Sequence, residues 1–299
     1  MRTLLLVLGL LPAVFAGAQV LLVPADAEDP ADLVFNPRFI QRNGIASMTG
    51  TTHIKRDGEP MYQRPERLHF RFDEQGRTVY RNTSHGRPGS GTDTSYVLFE
   101  FGTHRHPARE FRNDLSGHFA LEHELDSLDR PVRSTYTRIE NLGTDRYHPI
   151  PGERTEISDE RYRYDQPNDS TLRRTYLNDL GLKYREEWRI GNGDGYLVLI
   201  EDRYTVSGRR SRTTFRYDEQ GRLAERTERP DLDKPTSKRR TFLYDQAGNL
   251  LETDLWHDDR QVSHEEFLYE ADTFFLKARI RKDLGTGTIH VVRFTTERR

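Results

Sequence analysis

Three short segments of this 299-residue chain repeat one pattern: FRFDEQGRT at 70–78, FRYDEQGRL at 215–223 and FLYDQAGNL at 242–250. Weaker copies stand at 123–131, 161–169, 175–183 and 267–275. Asp73, Asp218 and Asp245 take the first turn position, where a short carboxylate accepts hydrogen bonds from backbone N–H groups two or three residues on. Gly76, Gly221 and Gly248 follow three residues later, where a type I turn ends in a left-handed residue and closes a hairpin. Aromatic and branched residues alternate with charges on either side, the period of two that marks strands. Other turn-like runs include ENLGTD at 140–145, GNGDG at 191–195 and PDLDKPT at 230–236. Turns thus recur about every 10 to 15 residues, leaving strands of ordinary length between them. No stretch combines a 3.6-residue apolar period with helix caps. These features predict an all-β chain: a long antiparallel meander of hairpins in a twisted or partly rolled sheet.

Only 34% of residues are hydrophobic and 31% are charged, too little apolar material for a thick globular core. The absence of cysteine excludes a disulfide framework, a thiol nucleophile and cysteine-ligated metal. Acids and bases balance, 48 against 46, so no overall field draws the chain to nucleic acid. Strands such as RLAERTER at 222–229 and TEISDERYRY at 155–164 carry charge on both faces. A lipid-embedded barrel needs an uncharged outward row, so the pattern argues against one. It argues equally against an apolar pocket on the sheet.

Residues 1–18, MRTLLLVLGLLPAVFAGA, have one positive charge, an apolar run and small residues before Gln19, the layout of a secretory signal. No second run of spanning length follows, so the processed chain is expected in the periplasm or secreted fraction, without a transmembrane segment. Residues 19–60 hold several prolines and glycines and no good repeat copy, and are expected to form an N-terminal arm or cap. Residues 61–299 then form the β-sheet domain.

Chemistry is harder to find. Seven of the eleven histidines fall between His53 and His123. His104 and His106 would share one side of a strand, and with His118 or His123 they form the best candidate metal site. No G-x-S-x-G elbow, phosphate loop or H-E-x-x-H helix occurs, so no catalytic residue and no cofactor are assigned. Trp188 and Trp256 are the candidate binding residues, because an exposed ring stacks on a sugar. Trp256, next to a polar run, is expected to be the more exposed. The longer loops at 84–93 and 230–236 are the other candidate contacts.

The aromatic-Asp-x-x-Gly-Arg segments resemble the YD-repeat, or Rhs-repeat, family. That resemblance implies hairpins in long antiparallel sheets, and a role as a shell or as a surface module that binds carbohydrate or protein. The expectation is an exported, non-catalytic structural or binding module of the cell envelope, monomeric because charged strands protect its sheet edge. The alternatives are a metal-dependent protein centred on the 85–123 histidines and a periplasmic carrier of an apolar ligand.

Overall fold

The computed structural model describes residues 19–84, 94–114 and 116–299; the expected signal segment and most of the 84–93 loop lie outside the described residues. The chain begins with two short strands, β1 (Leu21–Leu22) and β2 (Val34–Phe35), paired antiparallel, then a helix of six residues, α1 (Pro37–Arg42). Asn36 caps α1 by accepting from the Arg38 N–H at 3.1 Å, and Pro37 stands where a missing N–H costs nothing. The strands that follow are β3 (Ile45–Lys55), β4 (Tyr62–Phe72), β5 (Thr78–Ser84), β6 (Thr94–Glu100), β7 (Arg109–Asp114) and β8 (Gly117–Leu125). Next come β9 (Pro131–Asn141), β10 (Pro151–Asn168), β11 (Thr171–Leu177), β12 (Lys183–Gly191), β13 (Leu197–Tyr204) and β14 (Arg210–Tyr217). The last are β15 (Leu223–Arg229), β16 (Lys238–Tyr244), β17 (Leu250–His257), β18 (Arg260–Tyr269), β19 (Leu276–Asp283) and β20 (Ile289–Arg298).

Each strand from β3 to β20 pairs antiparallel with the next, as a meander of hairpins predicts. The sheet does not stay open or partly rolled: β20 pairs with β3 from Ile289↔Lys55 to Arg298↔Ile45, closing an 18-stranded barrel. Accumulated twist brings the first and last strands together, and closure pairs the backbone groups that an open edge would leave bare. No charged edge is required. Residues 19–60, expected as an arm or cap, divide at Gly44: residues 45–55 are barrel strand β3, and residues 19–44 form a separate plug.

The plug lies inside. Val20, Leu21, Phe35, Phe39 and Ile40 form one core cluster with Met48, Phe70, Phe215, Phe242, Phe267 and Phe294, which come from β3, β4, β14, β16, β18 and β20. Register places those wall residues on a single face, for example through Thr296↔Met48 and Met48↔Phe70. A segment met by one face of strands so far around a closed barrel occupies its lumen. Phe35 stands edge-on to Phe70 and Phe72 at 4.9 and 5.2 Å, a preferred aromatic geometry. Barrels of 16 to 18 strands ordinarily leave an aqueous channel, so a modest set of apolar residues suffices here once the plug fills part of the bore.

The outer face is charged at mid-strand. Asp159 on β10 pairs with Arg133 at 2.7 Å and Arg161 at 3.4 Å, and Glu201 on β13 pairs with Arg203 and Arg212, both at 2.9 Å. Each arginine at a bilayer midplane would cost about 2–4 kcal/mol, so these strands lack the uncharged outward row of a lipid-embedded barrel. A second small core, Tyr80, Tyr96, Leu98, Phe111, Ala120 and Ile139, sits on the same outer face. Tyr147, from the segment between β9 and β10, covers it at 4.9 Å from Tyr80.

The three strong repeat turns fall at one rim, because connections of a meander alternate between the two ends; the weaker copy at 175–183 turns at the other. Asp73 accepts from the N–H groups of Gln75 at 3.0 Å and Arg77 at 2.8 Å, and from Arg77 Nε at 2.7 Å. Asp218 does the same with Gln220 and Arg222, and Asp245 with the Asn249 N–H and side chain. The carboxylate thus serves residues two and four on, while the glycine N–H goes to the aspartate carbonyl, as Gly76 does at 2.9 Å. In three of the C-terminal units a tyrosine laces the turn to the hairpin before it, whereas the 70–78 unit has Phe72 there. Tyr217, Tyr244 and Tyr269 donate to the carbonyls of Leu197, Leu223 and Leu250 at 2.7–2.8 Å. Arg222 meanwhile lies over the Tyr244 ring at 4.7 Å.

Gly76, Gly221 and Gly248 have φ of 79°, 75° and 90°, the left-handed backbone their turns require. A Cβ on Gly76 would collide with the backbone of α1, at the Pro37 carbonyl and 2.8 Å from Gln41 N. On Gly221 it would meet only the movable Tyr196 hydroxyl end. Gly221→Val is expected to lower stability by about 1–2 kcal/mol from backbone strain. Gly76→Val should cost about 1–3 kcal/mol more, because the plug must shift. Urea unfolding midpoints of the two variants check the order.

Candidate functional site

The plug fills the lumen unevenly. Its helix sits under the Gly76 turn and Gln19 under the Gly248 turn, so the half of the bore nearest the repeat rim is packed. Towards the opposite rim, the plug segment 24–33 is flanked by open space. The larger cavity, of about 440 Å³, lies between Ala31–Leu33 and the wall of β4 to β7. Leu33, Leu68, Phe70 and Val97 give it an apolar side. Arg81, Arg112 and Arg279 give it a cationic one, each held by a carboxylate: Asp32 at 2.6 Å, Glu110 at 2.8 Å and Glu265 at 2.9 Å. Of those three acids, only Asp32 belongs to the plug.

The neighbouring wall from β10 to β13 carries a polar belt. Buried Glu187 accepts from Arg174 at 2.7 Å and from the Tyr176 hydroxyl at 3.0 Å, with Arg189 at 3.4 Å. Burial alone would raise this carboxyl, but Arg174 and Arg189 hold it below the usual glutamate value. Its contribution to stability is therefore complete above the unfolded glutamate pKa and is lost as pH falls through the lower folded value. Glu187→Gln would strip Arg174 of its carboxylate and leave Arg189 with Asp26 alone. A loss of about 3 kcal/mol is expected in denaturant unfolding at pH 7.

The expected ring-stacking residues sit on the outer face. Trp188 is sandwiched between Arg173 and Arg203, each 5.1 Å from its ring, and Trp256 lies under Arg239 at 4.5 Å. Both rings are half-buried, so neither presents a bare stacking surface, and Trp256 is not distinguished from Trp188. The 230–236 loop is at the rim away from the repeats, closed on itself by the Asp231–Lys234 pair at 3.4 Å.

The histidines separate. His104 Nδ1 pairs with Asp129 at 2.6 Å, where Asp129 occupies the left-handed turn position with φ 58°. His106 turns instead towards His123, ring to ring at 5.1 Å, and no group of three or more metal-binding side chains occurs among the described residues. His123 also lies 2.7 Å from the Ser134 hydroxyl. Burial, reinforced by His106 and Arg112, pushes the His123 imidazole down to about 4. The folded barrel then binds fewer protons than the unfolded chain between about pH 6.5 and 4, so stability falls on acidification across that window. The thermal midpoint should drop between pH 7 and 5 in the wild type and drop less in His123→Gln.

What sequence reasoning missed is the lumen. Arg81, Arg112 and Arg279 read as ordinary alternating charges, and only their pairing with plug and wall acids marks them as cavity residues. The available signal was the acidic run Asp26, Glu28, Asp29 and Asp32, four carboxylates and no base within seven residues.

No family model and no curated protein matches the chain. Among solved structures it is similar to a porin-like protein from Bacteroides uniformis, 10% identical, over 85% of this chain and 98% of that one, with a TM-score of 0.41. A porin-like protein from Bacteroides vulgatus aligns over the same shares at 10% identity and a TM-score of 0.35. A LolA superfamily protein from Nitrosomonas europaea aligns over 86% of this chain and 87% of that one, 10% identical, with a TM-score of 0.19. At these scores the likenesses carry no argument about activity. The YD-repeat resemblance is corrected: no family model supports it, and the similar solved chains include porin-like proteins. Its motif is a four-residue hairpin solution, an aspartate clamp plus a left-handed glycine, that antiparallel barrels can use repeatedly without common descent.

Proposed function

We propose that the chain is an exported, non-catalytic binding protein of the cell envelope that holds a small amphipathic anion inside its barrel. The observation that carries this reading is the 440 Å³ cavity, where an apolar side faces arginines. That volume falls within the range of about 300–1,000 Å³ typical of ligand pockets. An alkyl tail would lie along Leu33, Leu68, Phe70 and Val97, gaining about 0.8 kcal/mol per buried methylene before ordering costs. The acidic head would take the place of the Asp32 carboxylate on Arg81. Exchange of one carboxylate for another leaves the guanidinium paired in both states, which avoids the penalty of an isolated charge. The Arg81–Asp32 pair is half exposed, so the exchange needs no unfolding of the wall.

Displacement of a fluorescent medium-chain fatty acid from the purified protein tests the reading. Saturable binding is expected, lost in Val97→Trp, which fills the cavity, and strengthened several-fold in Asp32→Asn, which frees Arg81. Absence of saturable binding, or equal binding by a folded Val97→Trp, would overturn it.

A further inference from the structure

The second cavity beside the plug, about 330 Å³, lies on the other side of segment 24–33 against β15, β16 and β17. Arg240 lines it and is only 8% exposed. Nearly every other buried charge in the barrel has a close partner of opposite sign. Arg240 does not: among the described residues, its recorded hydrogen bond is a long one, 3.4 Å to the Thr253 hydroxyl, and its Nε is buried with no partner. Glu265 would be the natural counter-ion, but its two oxygens fork onto Arg279 at 2.9–3.2 Å. Glu265 is thus committed to the part-buried Arg279, and Arg240 is left without a close carboxylate.

The other charged groups around the cavity are three acids, Glu28, Asp29 and Glu228, and two bases, Arg226 and Lys238. Glu228 is taken by Arg226 at 2.8 Å, and Asp29 Oδ1 accepts from the Ala31 N–H at 2.8 Å. Lys238, two residues from Arg240 on the same face, stands between Glu228 and His257 of the flanking strands and makes no close ion pair among the described residues. Glu28 also lines the space and adds to the field that acts on Arg112. Acids and bases lining the cavity are equal in number, but Arg240 has no carboxylate within hydrogen-bond reach and Lys238 makes no close ion pair, and both border the same cavity. Burial bears on Arg240 in the same sense, holding it below the usual arginine range.

We infer that this cavity is an oxyanion site, in which Arg240 and Lys238 bind a phosphate-type group, either free phosphate or the phosphate of a small monoester. A guanidinium fork matches a tetrahedral oxyanion, and the ammonium supplies a second point charge. The site is separate from the apolar cavity and does not depend on the reading given to it.

Inorganic phosphate is the probe. Thermal unfolding of the purified protein is followed at pH 7.5 against phosphate concentration, with chloride holding ionic strength constant. A saturable upward shift is expected, absent with chloride alone, abolished in Arg240→Met and weakened several-fold in Lys238→Gln. Glycerol phosphate in place of phosphate distinguishes the two sources by the tighter half-saturation. A shift no larger than that of chloride, or one retained in Arg240→Met, overturns the site. If Arg240→Met does not fold, Lys238→Gln decides, since that side chain is exposed and an unchanged half-saturation there also overturns it. Fatty-acid displacement from the larger cavity should be the same in Lys238→Gln and the wild type, which separates failure of this site from failure of the other.

Discussion

Pairing of β20 with β3 converts a long ribbon of hairpins into a wall with no free edge, and the other features follow from that closure. A wall held by its backbone ladder needs little apolar volume, which is how a chain with 34% hydrophobic residues folds at all. Closure also creates a bore that eighteen strands cannot fill with their own side chains. The N-terminal segment supplies the missing filling, and its Phe35, Phe39 and Ile40 organise the phenylalanines of five wall strands into one core. Without the plug, those rings would line a water channel.

Filling is confined to one end, and the division follows the rim chemistry. At the repeat rim, aspartate clamps, glycine turns and tyrosine-to-carbonyl bonds make a rigid collar on which α1 rests. Away from it, the plug narrows to the 24–33 segment, which has backbone carbonyls and acids where the helix has apolar rings. Arginine on the wall reaches to those groups: Arg81 to Asp32, Arg189 to Asp26, and Arg226 to the Ala27 carbonyl. Lumenal charges are therefore not surplus surface charge turned inward. They fasten the plug while leaving space on either side of it.

Much of the wall was legible from residues alone. Period-two alternation and the Asp-x-x-Gly spacing in 70–78, 215–223 and 242–250 predict strands and turns where they occur. Closure was not legible, because curvature depends on twist and register summed over eighteen strands, to which no single residue testifies. Inside and outside were equally hidden. In RLAERTER, Arg226 points into the lumen and Glu225 outwards, yet both read as charges on an amphipathically featureless strand. The tyrosines illustrate the same limit: Tyr244 scans as strand packing, but its hydroxyl is fixed by the Leu223 carbonyl of the preceding hairpin, a partner 21 residues away.

Seen from the lumen, the two candidate sites share one moving part. Asp32 borders the apolar cavity and Asp29 the cationic one, three residues apart on the same plug segment, and each competes with what an anionic ligand would contact. A ligand head on Arg81 would release Asp32, and the freed segment could relax towards or away from Arg240. The wall cannot follow such a shift, since every strand is held on both sides. Any conformational response to binding is therefore channelled into residues 24–33, the part of the plug that belongs neither to the closed ladder nor to the β1–β2 pair nor to α1.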